Sequence, residues 1–397
     1  METFRRPLAL FVALLVAAAA CTSQPEAAPA EPEPLTTTSA VTTTSTTAAS
    51  TAPPITVSGV PEDLAALVMS IYEHAAGVGE STVDAAYLPQ RGIAEGMAGR
   101  TAAGGVAELG GAGIALIGAG ADLLAALDDG DGWRVVAVDL PSLDHRELGY
   151  TSAVIAAVGS DARPGEDATR ARADSLHLIG FDGKAGTFDI VGIPRDSWVA
   201  IPGRSAGKIN SALATGGPES MIAALEALTG YPLDGMLLTG FEGFQEALGN
   251  VLGGIQITVD APMSDSASGA SFDAGEQYMN GPQALAFART RKSLRLGDID
   301  RKRNGGLVLL AAAATARFRP PEGLPQMLSE AASWAWTDLE PETILRLTMT
   351  SLVAPIAAAG NEVLPGIPGE RTGSSTIELT WGARELLTDL ADGSLGS

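Results

Sequence analysis

From residue 151 onward, short apolar runs alternate with segments of helical spacing, and this alternation most constrains the fold. Val154–Val158 is an apolar run that stops at Gly159-Ser160-Asp161. Leu176–Phe181 and Phe188–Ile193 read as strands joined across Asp182-Gly183-Lys184-Ala185-Gly186. Pro218 predicts the opening of a helix that runs to Leu228 and stops at Gly230. Gly235–Thr239 and Ile255–Val259 read as further strands, with Phe241–Leu248 a helix between them. Pro282–Ala288 and Leu307–Phe318 read as helices. Strands and helices in this order predict a layered α/β domain. In such folds sites form near strand ends, which draws attention to Asp161, Asp174 and Arg195.

The chain before residue 151 divides into three parts. Arg5-Arg6 is a basic start and Leu8–Ala20 an apolar run, too short to span a bilayer comfortably, since a spanning helix needs roughly 20 residues. It reads as an export signal over residues 1–20. The run ends at Ala18-Ala19-Ala20-Cys21, which resembles a bacterial lipobox whose cysteine is lipidated after cleavage, with Ala18 where leucine is usual. The alternative is ordinary secretion with an incidental cysteine. Cys21 is the only cysteine, so the exported fold must be stable without an intrachain disulfide. Residues 21–56 are Thr, Ser, Ala, Pro and Glu with almost no large apolar groups, and read as a disordered tether. Residues 57–150 form a first folded, accessory segment with a helix over Pro61–Ala76 and a hairpin of Leu123–Leu127 with Trp133–Leu140. The glycine-rich run Gly110–Gly120 lacks G-x-G-x-x-G spacing and reads as a packed turn or helix rather than a dinucleotide loop.

Charge locates the chemistry. The chain has a formal charge of −22, yet residues 289–303 carry seven cations: Arg289, Arg291, Lys292, Arg295, Arg301, Lys302 and Arg303. Asp161-Ala162-Arg163, Arg172-Ala173-Asp174-Ser175 and Ile193-Pro194-Arg195-Asp196-Ser197 set further arginines against carboxylates. Arginine holds phosphate oxygens bidentately and does not deprotonate. The aspartates would repel the same anion unless a cation such as Mg²⁺ lay between them. The pattern points to a metal-associated phosphate or pyrophosphate. The overall negative charge excludes nucleic acid as an expected partner. His74, His145 and His177 lie far apart, with no metal-ligand spacing and no serine–histidine pair to build on.

These motifs in this order resemble the LytR-CpsA-Psr family. The resemblance rests on Gly159-Ser160-Asp161-Ala162-Arg163, Arg172-Ala173-Asp174-Ser175, Ile193–Ser197, Lys208-Ile209-Asn210 and Gly216-Gly217. It continues with Phe241-Glu242-Gly243-Phe244, Leu252-Gly253-Gly254, Asn280–Arg291 and Gly297-Asp298-Ile299-Asp300-Arg301. It covers about residues 150–390. The resemblance implies an α-β-α sandwich with a mixed central sheet. It implies a phosphotransferase that moves a glycopolymer from a polyprenyl-pyrophosphate carrier to peptidoglycan and releases polyprenyl phosphate. Such an enzyme works outside the cytoplasm, on the cell-wall side of the membrane, with Mg²⁺ (or Mn²⁺) as cofactor. By matched position, Asp161 and Asp174 resemble the metal-associated carboxylates. Arg172, Arg195, Arg289, Arg291 and Arg301 resemble the pyrophosphate-binding arginines, and Arg163 matches a frequent family position. Asp298 is a candidate base for the incoming hydroxyl, or else an ion-pair partner that orients Arg301.

One departure stands out: the family usually has Arg-Gln-Gln where this chain has Asn304-Gly305-Gly306, so an expected glutamine is glycine. That leaves open a lipoprotein that binds polyprenyl pyrophosphates without turning them over. A structural role for residues 57–150 in recruiting wall enzymes is a third reading.

Overall fold

The computed structural model describes residues 54–392 and Leu395, except Glu95, Met97 and Leu296. The export signal, Cys21 and the tether up to residue 53 lie outside them. The first strand, β1 (Ile55–Ser58), begins inside the stretch read as tether, because buried Ile55 belongs to a core. Helix α1 (Glu62–Ala75) then crosses to β2 (Arg100–Leu109), which pairs with β1 in parallel. A parallel pair requires such a crossover. Strands β3 (Ala112–Ala119), β4 (Asp122–Asp128), β5 (Arg134–Leu140) and β6 (His145–Glu147) follow as an antiparallel meander, completing a six-stranded sheet in sequence order. The apolar stripe of α1, Leu64, Val68, Ile71 and Tyr72, packs on one face of it with Ile117, Leu124 and Val138.

The glycine-rich run 110–120 is neither a turn nor a helix throughout. Its middle is strand β3, and Gly110, Gly111 and Gly120 supply positive φ at the turns on either side. Two neighbouring glycines have a packing reason. A Cβ at Gly105 would run into the Glu322 carbonyl, and one at Gly118 into the Pro321 ring. Small residues let this sheet approach the rest of the chain closely.

The second half is built on β7 (Ser152–Ser160), β8 (Ala173–Asp182), β9 (Thr187–Gly192), β10 (Gly235–Thr239), β11 (Trp336–Thr337) and β12 (Asn361–Val363). Their order is β11-β10-β7-β8-β9-β12, with β7–β10 and β9–β12 parallel and the other pairs antiparallel. The helices are α2 (Ser211–Thr229), α3 (Phe241–Glu246), α4 (Gly281–Arg289), α5 (Asp298–Ala316), α6 (Leu324–Ala332), α7 (Pro341–Val353) and α8 (Gly382–Asp392). Side chains alternate across the sheet. Val154, Ala156, Val158, Leu176 and Leu178 face α2 and α8, meeting Met221, Leu225, Leu387 and Leu390. Ile155, Ala157, Ile179 and Phe181 face the other helices, meeting Phe287, Leu309, Ala312 and Ile344. The result is the expected α-β-α sandwich on a mixed sheet. The second core also takes in Leu116, Leu127 and Val136, so the N-terminal sheet and the sandwich share apolar packing, with α6 and α7 between them.

Three elements differ from expectation. Ile255–Val259 is a strand, but it leaves the central sheet and pairs with Gly275–Met279. Helix α2 starts at Ser211 rather than Pro218; Gly217 kinks it at φ 71° and Pro218 restarts it. Helix α5 starts at Asp298, nine residues before Leu307, because its first turns are charged and hide the apolar period.

Candidate functional site

The site forms where β7 and β8 run out. Gly159 stands opposite Ser175 and Ser160 opposite Ala173, so Asp174 is the extra residue of a bulge. A bulge bends its strand and re-aims a side chain. Here it turns Asp174 toward Arg195, from the segment after β9, whose Nη1 donates to Asp174 Oδ1. Beside it, the Asp161 N–H donates to the Arg172 carbonyl at 2.9 Å, and the Arg172 N–H donates back to Asp161 Oδ1 at 2.8 Å. The two aspartates thus sit at neighbouring strand ends, as the motifs implied.

Helices α3, α4 and α5 close a pocket over these ends. One wall is apolar, with Phe241, Phe244, Leu285, Ala288 and Leu309; the other is polar, with Ser160, Asp174, Ser175, His177, Arg301 and Lys302. Helix α4 begins with a capping box in which Asn280 and Gln283 bond each other's backbone N–H groups at 3.0 Å. Its last residue, Arg289, lies on the pocket rim with its guanidinium carbon 4.3 Å from the Phe241 ring centroid. In the first turn of α5, Arg301 is only 6% exposed and its Nη2 is 2.8 Å from Asp298 Oδ1. The same oxygen stands 3.5 Å from Arg291 Nε, so Asp298 bridges two guanidinium groups.

Two buried polar atoms in the wall lack a hydrogen-bond partner, Ser160 Oγ and Arg301 Nε. A buried donor without an acceptor costs about 1–3 kcal/mol. Burial pulls the Arg301 pKa down, and Asp298 opposes that. These donors are arranged for an anion that brings its own acceptor oxygens.

Not every matched residue joins the wall. The structure places Asp174, Arg289 and Arg301 in it, with Arg195 and Asp298 directly behind as ion-pair partners. Asp161 is half-buried next to the bulge. Arg163, Arg172 and Arg291 are exposed at the rim or beyond, and the Arg163 backbone bonds Glu166, its N–H donating to Oε2 at 2.8 Å and its carbonyl accepting from the Glu166 N–H at 2.9 Å. Position by position, the geometry of Asp298 is that of an ion-pair partner rather than a base aimed into the pocket.

Three further neighbours join the site: Lys302, counted in the sequence only among the clustered cations, and Ser175 and His177, which have no role assigned there. Lys302 is 2% exposed, and its Nζ donates to the Asp174 carbonyl at 2.7 Å. Burial lowers its pKa to about 7, and the adjacent Arg301 charge adds to that. A serine–histidine pair does exist: Ser175 Oγ lies 3.4 Å from His177 Nδ1, and both line the pocket. They are two apart on β8 and therefore share a face, a period-2 signal present in the sequence. His177 Nε2 meets the Lys302 carbonyl at 3.0 Å. Its ring fills the space beside Gly305, where a Cβ would come within 2.6 Å of its Cε1.

Asp161 and Asp174 suit a Mg²⁺ ion, which binds one or two carboxylates and takes its other ligands from water and phosphate. The partnerless Ser160 hydroxyl beside them is a further oxygen. Among the described residues no cluster of three or more His, Cys, Asp or Glu forms a metal cage.

A model of the LytR_cpsA_psr family matches residues 139–357. Among curated relatives, the polyisoprenyl-teichoic acid–peptidoglycan teichoic acid transferase TagV of Bacillus subtilis is 34% identical over 140 residues, 33% of this chain and 36% of its own. The enzyme of the same description, TagU, from Oceanobacillus iheyensis is 30% identical over 197 residues, 48% of this chain and 60% of its own. The probable cell wall biosynthesis protein LcpB of Corynebacterium glutamicum is 33% identical over 156 residues, 36% of this chain and 37% of its own. The matched part therefore spans less than two thirds of each relative. The crystal structure of B. subtilis TagV superposes with a TM-score of 0.52 at 24% identity, over 61% of this chain and 98% of that one. A structure of TagT bound to LI-WTA gives 0.51 at 23%, over 64% and 95%. At these identities the two structures speak for the fold.

Proposed function

The chain belongs to the LytR-CpsA-Psr family, and from that premise we propose that its pocket transfers a glycopolymer from a polyprenyl-pyrophosphate carrier to peptidoglycan. The observation that carries the proposal is Arg301: a buried guanidinium whose Nε lacks an acceptor, lining a pocket that also holds Arg289. The names of the curated relatives, transferases of teichoic acid to peptidoglycan, support the reaction class.

In this reading the pyrophosphate lies across Arg301 and Arg289, with Arg195 and Lys302 adding positive charge from behind. A hydroxyl of peptidoglycan bonds to the sugar-side phosphorus. The bridging P–O bond breaks, its electron pair leaves with polyprenyl phosphate, and the hydroxyl proton is released. Phosphoryl transfer of this kind needs positioning and stabilisation of charge on phosphate oxygens, which fixed guanidinium groups supply in a partly dry pocket. Mg²⁺ held by Asp161 and Asp174 would neutralise further phosphate charge. The apolar wall of Phe241, Phe244, Leu285 and Leu309 offers contact for the first isoprene units. Asp298 fixes the direction of Arg301 and Arg291.

The protein is proposed to act outside the cytoplasmic membrane, anchored through lipidated Cys21. No helix among the described residues is long and apolar enough to cross a membrane. Mass spectrometry of the mature N-terminus is expected to show a lipidated Cys21; an uncut, membrane-bound Cys21→Ser protein counts against the anchor.

The reaction is tested with the whole chain, a synthetic polyprenyl-pyrophosphate-linked disaccharide, a soluble peptidoglycan fragment and Mg²⁺. Polyprenyl phosphate release with transfer to the fragment is expected, and chelation should stop it. Tight carrier binding without release would instead establish the non-catalytic binding protein.

A further inference from the structure

The identity of the group that receives the incoming hydroxyl follows from the polarity of one hydrogen-bond chain. The Lys302 carbonyl can only accept, so the His177 Nε2 that meets it at 3.0 Å carries the proton. This tautomer assignment leaves Nδ1 with a lone pair. Ser175 Oγ, 3.4 Å away, can satisfy that lone pair only by donating its own proton. The serine oxygen then keeps its lone pairs for the pocket it lines. A phosphate oxygen has no proton to offer it and would be repelled. A hydroxyl would be welcomed.

The packing is arranged to hold this chain in place. Helix α5 carries glycine at position 305, and the imidazole sits where a side chain would have been. His177 is 3% exposed. Its neighbour Lys302 has its Nζ tied to the Asp174 carbonyl, so one residue joins the histidine, through its carbonyl, to the bulge, through its side chain. The 3.4 Å separation is long, as such contacts often are before substrate tightens them.

We propose that Ser175 receives and orients the attacking hydroxyl of the acceptor, and that His177, seated against Gly305 and the Lys302 carbonyl, is the positioning residue that sets its polarity. The assignment rests on the transferase reading above. It separates two jobs within one pocket. The arginines hold the pyrophosphate, and the Ser175–His177 pair orients the hydroxyl of the acceptor.

The test uses the full chain with the synthetic carrier, a soluble peptidoglycan fragment, and a short polyprenyl pyrophosphate for binding. Ser175→Ala and His177→Leu should each lower kcat/KM for the fragment about tenfold, the size of one net hydrogen bond. Carrier Kd should stay at the parent value, which also reports that the variants are folded. His177→Gln, whose amide can donate to the Lys302 carbonyl and accept from Ser175, should recover part of the loss. Variants that transfer like the parent, or that lose carrier binding in step with transfer, overturn the assignment. A parent that releases no polyprenyl phosphate overturns the transferase reading, and this one with it.

Discussion

Gly305 shows how a departure from a family pattern reads differently in three dimensions. In the sequence it is a missing glutamine; in the structure its space holds the His177 ring. Restoring glutamine alone therefore overpacks the pocket. Gly305→Gln should cost about 1–3 kcal/mol in chemical denaturation, and adding His177→Ala should return part of it. A Gly305→Gln protein as stable as the parent would mean the ring is not seated there. The same burial has a pH signature. It holds His177 down at about 4, against 6.5 for an ordinary histidine, with the Lys302 and Arg301 charges acting in the same direction. The unfolded chain takes up the proton first as pH falls. His177 thus contributes stability above about pH 6.5 that is lost on the way down to about 4. His177→Leu should flatten that part of the acid slope in urea melts at a series of pH values; an unchanged slope would contradict it. The arginine and aspartate motifs were legible from residue types alone. The histidine was not, because what it touches depends on helix α5, far away in the chain.

At the level of elements, regular strands were the most legible. β7, β8 and β9 lie where apolar runs bounded by turn residues put them. The bulge at Asp174 was not, since it exists only in the pairing of two strands. Nor was the start of α5, where Asp298–Arg303 put charge on every face and the site used up the apolar pattern. Ile255–Val259 has the right pattern for a strand, and pattern alone does not say which sheet it joins. Helix α4 carries its own start signal in Asn280 and Gln283, and it delivers Arg289 to the rim. Asn280→Ala should lower stability by about 1 kcal/mol through loss of the cap. Fraying of α4 should also loosen carrier binding. A variant with the parent's denaturation midpoint would show that tertiary packing, not the cap, fixes this helix.

Across the whole molecule, the N-terminal sheet is not a detachable module. Leu116, Leu127 and Val136 lie in the same core as Ile155 and Phe181, and Gly105 and Gly118 make room for the contact. The sequence put Leu127 and Val136 in a hairpin and Leu116 in a packed turn or helix, and nothing local to them says what covers them. A chain starting at residue 150 would expose this face, and should be insoluble or unfolded by circular dichroism; a stable, active truncation would return the segment to an accessory role. The central claim is that arginines from distant segments act together on a pyrophosphate. It is tested most directly by calorimetry of a short polyprenyl pyrophosphate with Mg²⁺ on the parent, Arg195→Ala and Arg301→Ala. A hydrogen bond to a charged group is worth about 1.5–3 kcal/mol. Each variant should therefore bind about ten- to a hundredfold more weakly while keeping the parent's fold. Parent-like affinity in both would contradict the account and move the site elsewhere.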